Sequence, residues 1–184
     1  MTLSDVTNLI VAVTSIVAIF LAVFTFWRQM KQSQTFLGIQ ILQEWELRFF
    51  WSDDMRRRRY VTCKYLQGKS PNEIRYEDIP AEAWEILDTF DGIGLYVNRD
   101  VVEAELAWVT FYYWLNVYWY VLQPHRESLR AEHDGTQYLK DIDEMYQRLT
   151  EFGVKHRGLA GIESRCSPIR ITRFIEEELR ATGG

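Results

Sequence analysis

The strongest constraint in this sequence is an uncharged apolar run close to the N-terminus. Residues 6–27 contain no charged side chain, and 13 of these 22 residues are Leu, Ile, Val or Phe. At a rise of about 1.5 Å per residue, a helix of this length crosses a hydrocarbon core of roughly 30 Å. A buried helix of a soluble protein would rarely stay uncharged around its whole circumference. We therefore predict a transmembrane helix at 6–27.

The flanks of this run argue against a cleaved signal peptide and indicate an orientation. Residues 1–5 contain Asp5 but no Lys or Arg, so the basic segment of a signal peptide is missing. Arg28 and Lys31 follow the run directly. Because the side richer in Lys and Arg tends to stay in the cytoplasm, we predict a single-pass protein of the plasma (inner) membrane, with its N-terminus outside and its C-terminal domain cytoplasmic. The same two cations are candidate contacts for anionic lipid or a partner.

Small side chains recur along one face of the predicted span. Thr14, Ala18 and Ala22 are four residues apart. A ridge of this kind lets two helix backbones approach closely, so it could support a homo-oligomer in the membrane. Ala and Thr are also common in spans that stay monomeric, and the spacing alone does not separate these alternatives.

The remaining sequence predicts an all-α fold. With 47% apolar residues, 10 Gly and 4 Pro, the composition excludes disordered, collagen-like and disulfide-stapled proteins. Apolar residues continue at helical spacing through 28–51, which we expect to form a stalk helix that extends the membrane helix. We assign 52–152 to a helical-bundle domain and 153–184 to a linker and a short C-terminal helix.

Several residues predict where the helices of this bundle begin and end. Ser52 is a good N-cap, and Asp100 with Glu103 resembles a capping box for a following helix. That helix should end or kink at Pro124. Thr136 can cap the next amphipathic helix, and Ser167, followed by Pro168, can cap a short final helix.

The segment 106–122 has 17 residues, eight of them aromatic, and no charge. As a buried core helix it would expose a second apolar face that a neighbouring helix or subunit should cover. As a second span it is short and carries four Tyr hydroxyls, and as an interfacial helix it lacks a basic face. We favour the core helix. Its expected inner face comprises Trp108, Phe111, Leu115, Tyr118 and Leu122, and its outer face Tyr113, Asn116, Val117 and Tyr120.

Charge is segregated along the chain. Residues 28–69 carry nine basic and four acidic side chains, whereas residues 73–105 carry two basic and ten acidic ones. Four consecutive cations lie in the basic part: Arg56, Arg57, Arg58 and Arg59. At about 100° per residue they point around most of a helix, so we expect no nucleic-acid partner. We expect these arginines to pair with the acidic segment or to contact lipid or a partner protein.

Catalytic signals are sparse. The sequence lacks the nucleotide-binding, hydrolase and zinc-protease motifs, and Cys63 and Cys166 have no metal-type spacing and suit reduced cytoplasmic thiols. A carboxylate-metal enzyme is a weaker alternative, because two acidic pairs could hold a cation if their helices faced each other. These pairs are Asp88 with Asp91, and Asp141 with Glu144. We predict neither an enzyme nor a bound cofactor.

The order of several short motifs resembles a known family. The motifs are Trp27-Arg28-Gln29, Gln34–Leu37, Trp51–Arg56, Ile86–Leu95 and the stretch from Val101 to Arg126. Over roughly residues 8–150, the chain is similar to an uncharacterised family, a domain of unknown function, of prokaryotic single-span membrane proteins with a helical cytosolic domain. The resemblance implies membrane placement and an all-α domain, and it implies no activity.

Together these observations predict a membrane-anchored helical interaction module, that is, a scaffold, adaptor or regulatory subunit. Its expected partners are the lipid bilayer and another protein or a second copy of the chain. The alternative is a membrane-active effector or small channel in which residues 106–122 also enter the bilayer.

Overall fold

The computed structural model of the protein describes residues 3–69, 73–132, 138–159 and 166–183. In these ranges the chain is helical and has no strand, which confirms the predicted all-α fold with a long apolar N-terminal helix and a helical bundle. In chain order the elements are α1 (Leu3–Glu46), a π-helical turn (Leu47–Trp51), α2 (Asp53–Leu66), a 3₁₀ turn (Tyr76–Asp78), α3 (Ala81–Asn98), α4 (Ala104–Val121), α5 (Gln123–Glu132), α6 (Lys140–Arg157) and α7 (Pro168–Thr182).

The chain forms two compact units, an N-terminal unit, Met1–Leu37, and a unit that we call the bundle, Gly38–Gly184. In the N-terminal unit the apolar side chains from Val13 to Trp27 are exposed. Within the described ranges one helical segment, Val13–Trp51, is long and apolar enough to cross a membrane.

The core of the bundle is largely aromatic. Five aromatic side chains are completely buried: Phe49, Phe90, Phe111, Tyr118 and Phe174. They come from three helices, α3, α4 and α7, and from the π-helical turn, and the rings of Phe49 and Phe90 have centroids only 5.0 Å apart. Tilted and edge-on ring pairs at such distances add to the hydrophobic stabilisation of each buried ring. These rings therefore hold the helices of the bundle together.

Helix α4 contains the aromatic segment 106–122 and lies in the core of the bundle. The residues predicted to face inward are buried except Trp108, which is partly exposed. The other face is covered as well: Tyr146 of α6 donates a hydrogen bond to Asn116 Oδ1 at 3.1 Å, and Tyr113 donates to Glu177 of α7 at 2.8 Å. The core-helix interpretation of this segment agrees with the structure.

Two of the predicted helix starts have the expected caps. Ser52 Oγ accepts a hydrogen bond from the backbone N–H of Met55 at 3.2 Å, and α2 begins at Asp53. Ser167 Oγ accepts from the N–H of Arg170 at 3.3 Å at the start of α7. The sequence break at Pro124 is also present, because α4 ends at Val121 and α5 begins at Gln123. Thr136 lies outside the described residues.

The predicted capping box at Asp100 and Glu103 is wrong. Asp100 has a φ of +57° and ends α3, because its N–H bonds to the Val97 carbonyl at 3.1 Å. Its carboxylate pairs with Arg148 of α6. An Asp in the left-handed conformation just beyond a helix end is an ordinary C-terminal cap, so α4 starts only at Ala104.

Helix α6 extends further than the sequence suggests. It continues to Arg157, into the segment that we expected to be a linker. It ends at Gly158, whose φ of +63° is strained for other residues but not for glycine.

Candidate functional site

A buried ion pair connects α2 with α7. Arg59 and Glu178 are only 4% and 5% exposed. Arg59 Nη1 donates to Glu178 Oε1 at 3.2 Å and lies 3.1 Å from Oε2, and the indole N–H of Trp114 donates to Oε1 at 2.9 Å. A buried carboxylate is tolerated only when hydrogen bonds replace its lost hydration. Glu178 of α7 therefore accepts hydrogen bonds from α2 and α4 and links the three helices.

The Arg59 guanidinium is also held by aromatic rings. Its central carbon lies 5.0 Å from the centroid of Phe49 and 5.5 Å from that of Phe50. Both rings belong to the π-helical turn, whose extra residue per turn places adjacent side chains against α2. Ring faces attract a cation electrostatically, so this contact compensates part of the cost of burying the charge.

The polar contacts continue from Glu178 into the core through Tyr118 and Cys63. The Tyr118 hydroxyl donates to Glu178 Oε2 at 3.5 Å, and Cys63 Sγ lies 3.5 Å from the same hydroxyl. Burial raises the pKa of Cys63 to about 12 and the pKa of Tyr118 well above its usual value. Both groups are therefore neutral at physiological pH, and Cys63 is no thiolate nucleophile.

We expect both native thiols to resist alkylation while the chain is folded. Burial also raises the pKa of Cys166 to about 11, and at pH 8 such groups are thiolates in only about one molecule in a thousand or fewer. Iodoacetamide at pH 8, followed by mass spectrometry, should modify neither Cys63 nor Cys166 in the native protein. It should modify both in guanidinium chloride. Native labelling as fast as denatured labelling would contradict the buried placement.

An open cleft of about 670 Å³ lies beside the buried ion pair. Trp51 and Val109 stand at this cleft with 72% and 63% of their surface exposed. Its charged lining consists of two arginines and two glutamates, so it carries no net formal charge. The lining residues are Glu46, Phe50, Trp51, Arg56, Arg59, Val109, Thr110, Trp114, Glu178 and Ala181.

The four consecutive arginines diverge, as the helical period predicts. Arg57 and Arg58 face the acidic segment 73–105, and Arg58 lies 2.8 Å from Glu85. Arg59 is the buried partner of Glu178. Arg56 has longer contacts, 3.8 Å to Asp53 and 3.4 Å to the Ala181 carbonyl. Two of the four thus pair with the acidic segment, one enters the core and one lines the cleft.

The other candidate contact residues lie in the N-terminal unit and are exposed. Thr14, Ala18 and Ala22 present their side chains on the surface of α1, as do Arg28 and Lys31. The Lys31 ammonium lies 5.6 Å from the centroid of the Trp27 ring. Their contacts with lipid or with a second copy stay predictions.

The helices that carry the two acidic pairs do face each other. Gly94 of α3 lies so close to α6 that a Cβ there would be 2.5 Å from the Asp141 carbonyl oxygen. Asp91 accepts a hydrogen bond from the backbone N–H of Ile142 at 2.9 Å, and burial, with Asp141 and Asp88 nearby, raises the pKa of Asp91. The side chain of Asp91 therefore caps the N-terminus of α6, because Ile142 lies in the first turn of that helix.

The remaining acid of these pairs, Glu144, bonds to Lys140 at 3.3 Å. In the part of the chain that the structure describes, no group of three or more His, Cys, Asp or Glu side chains is placed to hold a metal ion.

A second polar cluster, which the sequence did not indicate, joins α4, α5 and α6. Asp143 accepts hydrogen bonds from Trp119 Nε1 at 2.8 Å, from Arg126 at 2.5 Å and from Arg130. The Trp119 ring stacks on Tyr146 with centroids 3.8 Å apart. All donors to Asp143 come from other helices, so no local pattern could reveal this cluster. Its arrangement fixes α5 after the break at Pro124.

The comparisons with known proteins provide no relative. No protein-family model matches the sequence, no curated protein matches it, and no solved structure matches it. The resemblance to a family of single-span membrane proteins thus stays a prediction.

Proposed function

We propose that this protein is a membrane-anchored helical interaction module, a scaffold, adaptor or regulatory subunit. Residues 6–27 would hold it in the plasma (inner) membrane, with the N-terminus outside and the bundle in the cytoplasm. The observation that carries this proposal is the exposed apolar surface of α1, where Ile19, Phe20 and Phe26 are 63%, 75% and 64% exposed. The Leu, Ile, Val and Phe residues of the run favour insertion by roughly 4–8 kcal/mol before polar residues are subtracted.

The chemistry of the bundle supports binding rather than catalysis. Glu178 and Arg59 are held in an ion pair with each other, and the buried thiol of Cys63 is neutral. The cleft instead presents Trp51 and Val109 to solvent. Exposed Trp next to Arg is the composition that dominates the energetics of protein–protein interfaces.

The burial of 106–122 supports a single crossing over the effector or channel alternative. Phe111, Leu115 and Tyr118 have no exposed surface, and they contact other helices of the bundle. Moving α4 into a bilayer would require these contacts to break. It would also place the Tyr hydroxyls and Asn116 in hydrocarbon, where unsatisfied polar groups cost several kcal/mol each.

Cysteine accessibility in intact cells tests the proposed topology. The reporters are Ser4→Cys, Gln67→Cys and Arg180→Cys, since these side chains are exposed in the structure and the native thiols are buried. Gln67 is used rather than the adjacent Gly68 because Gly68 has a φ of +78°, a backbone conformation that is strained for cysteine. We expect a membrane-impermeant maleimide to label Ser4→Cys in intact cells, and the other two only after permeabilisation.

Each other result contradicts a specific part of the proposal. Labelling of Arg180→Cys but not Gln67→Cys in intact cells would mean that 106–122 cross the membrane, which favours the channel alternative. Labelling of both, with Ser4→Cys protected, would reverse the orientation. Recovery of the chain in the soluble fraction after cell lysis would remove the anchor altogether.

A further inference from the structure

The cleft of the bundle carries an exposed apolar surface that the bundle itself leaves uncovered. Trp51 and Val109 are 72% and 63% exposed, and Leu47, one turn before Trp51, is 62% exposed. A buried Trp alone covers on the order of 200 Å², so Trp51 and Val109, which both line the cleft, form a patch of a few hundred Å². Patches of this size on soluble domains mark interaction sites.

The charges around this patch indicate what kind of partner fits it. Arg59 and Glu178 compensate each other, which leaves Arg56 and Glu46 as one cation and one anion on the same lining. The lining therefore provides no net electrostatic attraction for a strongly charged ligand. A two-fold interface needs a surface that complements itself, so that Glu46 of each copy can face Arg56 of the other.

Arg56 is suited to such an exchange of partners. Its contact with Asp53 spans 3.8 Å, and the Asp53 side chain is fully exposed. Surface pairs of this kind contribute little to stability, so Arg56 can turn towards a second copy at small cost.

We infer that two copies of this chain associate through the cleft, with Trp51 of each copy packed against the cleft of the other. This inference rests on the proposed function, because the patch is smaller than the roughly 800 Å² per partner of a stable soluble dimer. Anchoring in one membrane raises the effective concentration of the two copies and compensates for the small area. The dimer should therefore form in membranes and dissociate on dilution in detergent.

Disulfide crosslinking of the full-length chain in native membranes tests this dimer. Ala181→Cys is the reporter, because Ala181 is an exposed residue that lines the cleft. Glu127→Cys, exposed on α5 and absent from the cleft lining, is the matched control. The native thiols remain in place because they are buried. After copper-phenanthroline oxidation and quenching of free thiols, Ala181→Cys should give a band at twice the chain mass, and Glu127→Cys should not.

A second substitution assigns the contact to the cleft. Adding Trp51→Ala should reduce the crosslinked fraction by about tenfold or more, as expected for a central Trp of an interface. Trp51 is too exposed for its loss to unfold the bundle. Adding Ile169→Ala, at an apolar α7 residue that is 76% exposed, should leave the crosslinked fraction unchanged.

The remaining outcomes overturn the inference. Equal crosslinking of Ala181→Cys and Glu127→Cys, or no effect of Trp51→Ala, would exclude the cleft as a dimer interface. A crosslinked product of a different mass would assign the cleft to another protein. If the chain is in the membrane fraction but Ala181→Cys does not crosslink, the dimer inference is wrong and the proposed function is unaffected. If the chain is in the soluble fraction, the proposed function itself is wrong.

Discussion

Glu178→Ala is expected to lower the free energy of unfolding by about 3–5 kcal/mol, because it leaves a buried arginine without its counter-ion. Glu178 is the acceptor for Arg59, Trp114 and Tyr118, so removal of its carboxylate takes an acceptor from all three side chains. The measurement is denaturant unfolding of the full chain in mild detergent, followed by tryptophan fluorescence.

The neighbours of Glu178 provide the controls for this prediction. Glu176→Ala, at an exposed residue of the same helix, should change the unfolding free energy by about 0.5 kcal/mol or less. The double variant Arg59→Met with Glu178→Leu should recover much of the lost stability, because it removes both buried charges together. A loss for Glu176→Ala as large as that for Glu178→Ala would show that the ion pair is not buried as described.

Phe111→Ala is expected to cost about 3–5 kcal/mol of unfolding free energy, the usual cost of deleting a buried Phe ring. Phe111 has no exposed surface, and its ring centroid lies 5.8 Å from that of Phe50, 6.0 Å from that of Phe49 and 6.4 Å from that of Phe90. The substitution would therefore open a cavity where α4 meets α3 and the π-helical turn. The same denaturation experiment measures this loss.

Val109→Ala is the matched control on the same helix. Val109 lies two residues before Phe111 but is 63% exposed, so its truncation should cost about 0.5 kcal/mol or less. A larger loss at Val109 than at Phe111 would mean that α4 is rotated relative to the structure. The segment 106–122 would then not be the core helix, and its burial would no longer oppose a second crossing of the membrane.

Features that depend on neighbouring residues could be predicted from the sequence. The uncharged run at 6–27 predicts a membrane-length helix because the transfer of its apolar side chains from water into lipid is favourable. Ser52 predicts a helix start because its side chain bonds to a backbone N–H three residues on. Pro124 predicts a break because it lacks an N–H. All three features follow from a continuous stretch of sequence and do not depend on which helices pack together.

The capping box at Asp100 shows where this local reasoning stops. The residue pattern suits a helix start, but the end of α3 and the ion pair with Arg148 both hold Asp100 in a left-handed conformation. Arg148 belongs to α6, 48 residues along the chain, and the pattern around Asp100 carries no information about it.

The sequence by itself therefore determined the all-α class, the long apolar helix and the helix boundaries at Ser52 and Pro124. Only the tertiary structure decided that Arg59 pairs with Glu178, 119 residues away, rather than with the nearer acidic segment. It also decided that Trp51 stays exposed at a cleft while Phe49, two residues earlier, is completely buried. Both outcomes depend on how α2, α4 and α7 pack, because burial and ion pairing are set by neighbours in space, which helical periodicity does not specify.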